Sequence, residues 1–378
     1  MIDAYSPLKA LRHLDVIRRV RGGIPARPVH VQIILSDLCN QACRFCSYRD
    51  PTYTSSQKFF EIKALGAGLR KDEDHPERNY NPNRMIPYDK ATEILDDCEK
   101  LGVQAIQYTG GGEPTVHPKF REILERTPLN GLEYSVVTNG INVTKKGYAD
   151  VIARGAWVRV SLDAGKASTY SNIRCVPESQ FEDACQAIRL MREAREKLGT
   201  ACVIGVGFVV TPDNWREVYD ATKLAKDCGA DNIRISAQFS AQDERLFSDF
   251  HGVCSSWCRA AVDEFDGPEF RVYDRFSQKL EDLRQKAPDY DRCGYQYFTT
   301  YIGGDLNVYR CCVTSYNDRG LLGSIKDRRF ADLWMSQARV DDMDAFKASG
   351  CDRCQFNGQN RILDYALRLD EPMHSEFV

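Results

Sequence analysis

Three cysteines, Cys39, Cys43 and Cys46, lie in one short run, Cys39-Asn40-Gln41-Ala42-Cys43-Arg44-Phe45-Cys46, directly after the apolar stretch Val31–Ser36. The C-x3-C-x2-C spacing puts three thiols in a single polar loop, which is not a packing pattern. Zinc ligands usually come as paired C-x2-4-C units, whereas here a gap of three residues is followed by one of two. A [4Fe–4S] cluster takes one cysteine per iron, so three thiolates in one loop leave an iron open to another ligand. A chain built around such a loop must fold so that the loop faces a chamber.

The rest of the composition fits a globular protein. Hydrophobic residues make up 43% and charged residues 28% of the 378 positions, as in soluble domains, and the length allows one large domain plus an appendage. The net charge of −3 predicts no general affinity for nucleic acid or anionic membrane. The N-terminus, Met1-Ile2-Asp3-Ala4-Tyr5-Ser6-Pro7, lacks the basic-then-apolar shape of a signal peptide. No apolar run approaches the ~18 residues a membrane helix needs. Fifteen cysteines is a high and odd count. Without a secretion signal, it predicts reduced thiols and metal sites in the cytoplasm.

From about residue 30 to 240 the chain alternates strand-like and helix-like segments. Strands are predicted at Val31–Ser36, Val103–Tyr108, Glu133–Thr138, Trp157–Leu162, Cys202–Val210 and Asn232–Ile235. The clearest helices are Tyr88–Leu101, closed by Gly102, Phe181–Leu198, and Asn214–Cys228, closed by Gly229. Six βα units imply a parallel sheet with right-handed crossovers. The strands read as near-continuous apolar runs, as expected when both faces are covered. Leu11, Leu14, Ile17 and Val20 fall at helical spacing, which places the arginines of Arg12–Arg27 on the solvated face of a capping helix. Asp50–Met85 is long, polar and dotted with aromatics, and following the cysteine loop it is expected to act as a substrate lid.

The triad, the aromatic Phe45 just before its last cysteine, and Gly110-Gly111-Gly112-Glu113-Pro114 after the second strand together resemble the radical S-adenosylmethionine (radical SAM) superfamily. The resemblance implies an α/β fold: a partial (β/α)6 TIM-like barrel whose loop holds a [4Fe–4S] cluster through Cys39, Cys43 and Cys46. It also implies that the open iron chelates SAM, which is cleaved to methionine and a 5′-deoxyadenosyl radical that takes hydrogen from substrate. Gly111, Gly112 and Glu113 are then expected to receive the SAM ammonium, so that a side chain on Gly112 would occupy ligand space. Polar residues at the next strand ends become ribose or carboxylate contacts: Ser161, more weakly Asn139, and Arg174 as a bidentate clamp. For Arg174 a solvated helix position is an equal alternative. Gly205 and Gly207 either admit the adenine or relieve crowding in the barrel.

A second constellation follows. Cys293 and Cys311 flank a hairpin-like stretch around Gly303-Gly304-Asp305, and Cys351-Asp352-Arg353-Cys354 is a C-x2-C knuckle. This resembles the twitch domain, a shortened relative of the SPASM domain, and implies one auxiliary [4Fe–4S] cluster on Cys293, Cys311, Cys351 and Cys354 in a small C-terminal α+β domain. Zinc is the alternative metal, and Cys312 the alternative to Cys311. Cys254 and Cys258, one helical turn apart, read as core, as do Cys98, Cys185 and Cys228. The expected division is a capping helix over 1–27, the radical SAM core over 28–245, a helical bridge over 246–290, the auxiliary domain over 291–365 and a tail over 366–378.

A fully ligated second cluster has the task of electron transfer, which favours net oxidation. Only about thirty residues precede the barrel, with no leader-peptide recognition domain among them, so the expected substrate is a small polar metabolite such as a sugar or cyclitol. A ribosomally made peptide is the alternative substrate. An iron–sulfur electron carrier or metal-stabilised binding module is the alternative class, against which the glycine loop and the six-unit barrel both speak. A flavodoxin- or ferredoxin-type electron donor is the expected partner.

The two cysteine sets predict about eight irons per anaerobically reconstituted chain. Changing Cys39, Cys43 and Cys46 together to alanine should leave about four, as measured by iron analysis. Zinc in place of iron would refute the assignment.

Overall fold

The computed structural model describes residues 4–48, 85–238, 249–285, 287–351 and 353–369. Except for Met85, the expected lid therefore lies outside the described residues, as does most of the expected tail.

Six strands follow the predicted order: β1 (His30–Ile33), β2 (Ala105–Tyr108), β3 (Glu133–Thr138), β4 (Trp157–Ser161), β5 (Val203–Val210) and β6 (Asn232–Ala237). Each pairs parallel with the next. Helices intervene at Tyr88–Leu101, Phe120–Leu129, Ser179–Leu198 and Val218–Asp227, among others. Gly102 and Gly199 end two of these helices in left-handed backbone, where a residue without a Cβ is least strained. This is the expected α/β barrel with parallel strands.

Three differences from expectation matter for the site. The stretch expected as a helical bridge contains a helix, His251–Phe265, but also β7 (Arg271–Asp274), which pairs parallel with β6. The hairpin of β8 (Thr299–Ile302) and β9 (Asn307–Tyr309), extended by β10 (Leu321–Ser324), is continuous with the barrel, because β8 pairs parallel with β1. All ten strands thus form one sheet, in the order β10-β9-β8-β1-β2-β3-β4-β5-β6-β7.

The third difference is that the strands alternate. In β4, Val158 and Val160 are buried against helices, while Trp157 and Ser161 line an interior cavity. In β6, Ile233 and Ile235 are buried, while Arg234 and Ser236 line the cavity. Ala105 and Gln107 of β2 and Ser135 of β3 line it too. In β4 and β6 one face meets a dry helical layer and the other the lumen, so the period is two.

The capping helix, Leu14–Arg21, buries Val16, Ile17 and Val20. Leu14, expected on the inner face, is 56% exposed, because Val16 takes the inward position beside Ile17. Cys98, Cys185, Cys228, Cys254 and Cys258 are all buried in the main core. The final helix, Asn357–Leu367, packs on the N-terminal turn Pro7–Arg12, and residues of both line the cavity. Among the described residues no helix is long and apolar enough to cross a membrane.

Trp334 joins the C-terminal region to the core. It is fully buried and its indole N–H donates to the Ala26 carbonyl at 2.8 Å. Trp334→Ala should cost about 3–5 kcal/mol through the cavity it leaves, measured by urea unfolding.

Candidate functional site

The cysteine loop follows β1 and is fixed by backbone bonds from several elements. The Ala42 and Arg44 amides donate to the Arg174 and Ile173 carbonyls, at 3.2 and 2.8 Å. These carbonyls belong to the last turn of the Ala167–Arg174 helix, which has no internal donors for them. On the other flank, the Gly112 and Glu113 amides donate to the Ser36 and Leu38 carbonyls, at 3.1 and 2.8 Å. The side chain of Asn139 donates to Asn40 Oδ1 at 2.7 Å. The loop is thus held by the ends of β1, β2, β3 and a helix C-terminus.

Arg174 is the central side chain. It is 3% exposed, not solvated. One terminal nitrogen donates to Gln41 Oε1 at 2.6 Å and approaches Cys43 Sγ at 3.7 Å. The other donates to the Ser161 carbonyl at 2.7 Å and to Asp163 Oδ2. Its ring neighbours are Tyr170 and Phe45, 4.9 and 5.9 Å from the guanidinium carbon. Both forks are therefore engaged by protein, and the expected bidentate grip on a ligand carboxylate is not available to them. The buried Nε has no partner. Burial pushes the Cys43 thiol up to about 12, with Arg174 opposing the rise and Cys46 and Cys39 adding to it. The three thiols therefore lie within one another's electrostatic reach.

Glu113 is 3% exposed and its carboxylate is saturated. Oε1 accepts from the Thr115 amide at 3.2 Å, Thr115 Oγ1 at 2.6 Å and Thr138 Oγ1 at 2.6 Å, and Oε2 accepts from the Asn139 amide at 2.8 Å. A carboxylate has about four acceptor sites. Burial raises its pKa, and the threonine hydroxyls oppose the rise. The side chain staples the glycine loop to the end of β3. Gly112 abuts the cysteine loop, not open space: a Cβ there would lie 2.1 Å from the Leu38 carbonyl oxygen. Gly207 makes room for Arg159 and Gly205 for Asn232, so relief of crowding is their role.

Cys39, Cys43, Cys46, Gly111, Gly112, Glu113, Asn139, Ser161 and Arg174 all border one cavity of about 970 Å³. Its far side is formed by Tyr295, Gln355 and Phe356, with the Tyr295 and Phe356 rings stacked at 3.9 Å.

Behind that wall lie the other cysteines. Burial raises the Cys293 thiol far above its usual range, and Cys354, Cys311 and Cys351 add to the rise. Cys351 feels Cys311 and Cys354 in turn, after burial. Cys354 Sγ accepts from the Phe356 amide at 3.3 Å and Asn360 Nδ2 at 3.7 Å. Cys312 packs against the tyrosine group of Tyr301, Tyr309 and Tyr316, and after burial Cys311 and Cys354 also raise its thiol. Among the described residues no three His, Cys, Asp or Glu side chains are grouped as ligands of one metal ion. Thiolates of a [4Fe–4S] cluster each take a different iron and need not converge on a point.

Sequence reasoning passed over Gln41, Asp163 and Tyr301. Asp163 is 2% exposed, sits at φ +57° and accepts from the Val209 amide at 2.6 Å. Its signal was a carboxylate at a strand end with a lone arginine on the following helix. Tyr301 donates to the Gly110 carbonyl at 2.8 Å, tying the β8 hairpin to the glycine loop.

The family model of the radical SAM superfamily matches residues 33–235. Over 272 residues the chain is 30% identical to the tungsten-containing aldehyde ferredoxin oxidoreductase cofactor-modifying protein of Pyrococcus furiosus, covering 67% of this chain and 73% of that one. It is 25% identical over 273 residues to the mycofactocin maturase MftC of Mycobacterium tuberculosis, covering 69% and 66% respectively. Among solved structures, Streptococcus suis SuiB bound to the precursor peptide SuiA aligns with a TM-score of 0.61 at 13% identity, covering 91% of this chain and 73% of that one. Native anSMEcpe with bound AdoMet aligns with a TM-score of 0.58 at 15% identity, covering 90% and 96%.

Gly112→Ala should displace the Asp37–Leu38 backbone and so unseat the cysteine loop. Iron content should fall by about half, with circular dichroism unchanged. A variant that keeps all its iron and loses only SAM binding would favour a ligand-facing role for this glycine.

Proposed function

The chain belongs to the radical SAM superfamily, and on that premise we propose that SAM and substrate share its barrel lumen, between two iron–sulfur sites, for net oxidation at a substrate C–H bond. The observation that carries this reading is that one cavity borders the three-cysteine loop on one side and the Tyr295–Phe356 wall before Cys354 on the other. With its [4Fe–4S] cluster and SAM bound, such an enzyme has a 5′-deoxyadenosyl radical available to take hydrogen from a substrate carbon.

This chain's residues would divide the work as follows. Cys39, Cys43 and Cys46 hold the cluster. Arg174 offsets the negative charge of the buried thiolates and keeps the loop in place. The backbone at Gly111 and Gly112 receives the SAM ammonium, while Glu113 shapes that backbone from behind. The Ser161 hydroxyl, which borders the lumen, bonds a ribose hydroxyl or the methionine carboxylate. Asn139 acts through Asn40 to position the loop. Cys293, Cys311, Cys351 and Cys354 hold the auxiliary cluster. A cluster held by these four cysteines would supply an electron acceptor for the net oxidation. A flavodoxin- or ferredoxin-type protein supplies the reducing electron to the first site.

The leading substrate is a small polar metabolite, since a cavity of about 970 Å³ must also contain SAM. Modification of a peptide is the second reading, favoured by the likeness to the maturase MftC and to SuiB in its precursor-peptide complex.

The reconstituted protein should cleave SAM to 5′-deoxyadenosine under dithionite, and the Cys39/Cys43/Cys46 alanine variant should not. A folded Cys351→Ala/Cys354→Ala variant should retain cleavage and transfer deuterium from labelled substrate, yet form no oxidised product. Normal product from that variant would remove the electron-acceptor role. SAM cleavage by the triple variant would overturn the whole scheme.

A further inference from the structure

Two arginines occupy barrel strands, Arg159 in β4 and Arg234 in β6. The strand between them, β5, has Gly205 opposite Arg159 and Gly207 opposite Arg234. Without side chains there, the two guanidinium groups share one region of the interior. Each guanidinium carbon stands over an aromatic ring, Arg159 over Trp157 at 5.2 Å and Arg234 over Tyr5 at 5.8 Å. Arg275, just after β7, also faces the Tyr5 ring, at 5.9 Å.

Among the described residues these cations have no ion-pair partner. Neither Arg159 nor Arg234 has an ion pair or side-chain hydrogen bond among the described residues, and Arg159 Nη1 and Arg234 Nε are buried without acceptors. Arg275 donates only to the neutral Gln278, at 2.5 Å. The nearest carboxylates are committed elsewhere: Asp163 to Arg174 and the Val209 amide, and Asp282 to Asn357 and Arg361. Burial, and after it the charges of Arg159 and Arg275, push Arg234 down to about 9. Lys279, whose ammonium bonds the Gln355 carbonyl, is pushed down to about 8 by burial and then by Arg275. Like charges held together in a poorly hydrated site are unfavourable unless an anion joins them.

The place of this cluster separates it from the SAM contacts. Arg234, Arg275 and Lys279 border the cavity together with Gln355 and Phe356, next to Cys354. Both terminal nitrogens of Arg174, the cation of the three-cysteine loop, are already engaged by protein. Planar guanidinium groups with free N–H donors match an oxyanion, either carboxylate or phosphate.

We infer that the substrate carries an oxyanion, a carboxylate or a phosphate ester, which docks on Arg234 and Arg275 on the auxiliary side of the lumen. The inference rests on the reading of this lumen as the substrate chamber of a radical SAM enzyme. It narrows the substrate class to an anionic metabolite and sets the end of the molecule that points away from the three-cysteine loop.

The test uses the reconstituted, SAM-bound protein and two probes, inorganic phosphate and acetate, followed by calorimetry and thermal unfolding. One anion should bind per chain and raise the unfolding temperature, and the tighter probe identifies phosphate ester or carboxylate. Arg234→Gln and Arg275→Gln should each weaken that binding about tenfold or more, the loss of a charge-assisted contact, and Arg234→Lys should recover part of it. Without anion, both glutamine variants should unfold at the same temperature as wild type or higher, because an uncompensated charge has been removed. Binding of neither probe by wild type, equal binding by the variants, or a marked fall in their anion-free unfolding temperature would each overturn the inference. Loss of the SAM-induced change in the cluster EPR signal in Arg234→Gln alone would assign the arginine to SAM and also overturn it. Absence of that change in wild type would overturn the SAM reading itself, and the inference with it.

Discussion

The site depends first on a buried guanidinium. Arg174 is enclosed at 3% exposure, and removing such a charge from water is costly unless it is paired and hydrogen-bonded. The chain meets that cost with Asp163, the Ser161 carbonyl, Gln41 and the Cys43 sulfur. The partners come from the end of β4, from Asp163 two residues beyond it, and from two positions of the cysteine loop. One side chain therefore fixes the loop relative to the barrel rim. The helix that supplies Arg174 also gives the loop its terminal carbonyls, so loop position and helix position are set together. Deprotonation of buried thiols is unfavourable, and the same guanidinium reduces that penalty at Cys43.

A second constraint is the wet lumen. A barrel with a wholly apolar interior would fill itself with side chains, as closed eight-stranded barrels do. Here the inward positions carry glutamine, serine and arginine, and β5 carries glycine where its neighbours carry arginine. The helix-facing positions are occupied by Val158, Val160, Ile233 and Ile235. The sheet thus keeps a dry outer interface that holds the fold and a polar inner face that does not collapse. Stability and ligand capacity are assigned to opposite faces of the same strands.

Much of the architecture was legible because it rests on local signals. The helix Tyr88–Leu101 was bounded by its own periodicity and by Gly102, whose φ of +76° a Cβ-bearing residue adopts with strain. The strands were legible as segments but not as surfaces. Reading them as continuous apolar runs hid Arg159 and Arg234, although a lone arginine within Trp157–Ser161 and within Asn232–Ala237 breaks such a run. The strand Arg271–Asp274 was missed because four residues beside short helices give no periodicity. The three-cysteine loop was marked by its spacing, and the second set by its resemblance to the twitch domain. The functions of Glu113 and Arg174 were not, since saturation of a side chain is set by residues such as Thr138 and Gln41 that are distant in sequence.

The parallel pairing of β8 with β1 changes how the second cysteine site should be viewed. A separate appendage would meet the barrel through a side-chain interface and could shift relative to it. Here backbone ladder bonds join Thr299–Ile302 to His30–Ile33, and β1 leads directly into the three-cysteine loop. Tyr301 of the same strand donates to the Gly110 carbonyl, and Tyr316 donates to Asp37 just ahead of that loop. Cys311 follows β9 within two residues, so it is referenced to the same sheet as the three-cysteine loop, with only β8 between β9 and β1. Their separation is then a property of sheet geometry, insensitive to loop motion. Electron exchange between two such sites depends steeply on distance, and a chamber between them must keep its width while a ligand enters. A continuous sheet meets both requirements with the same hydrogen bonds.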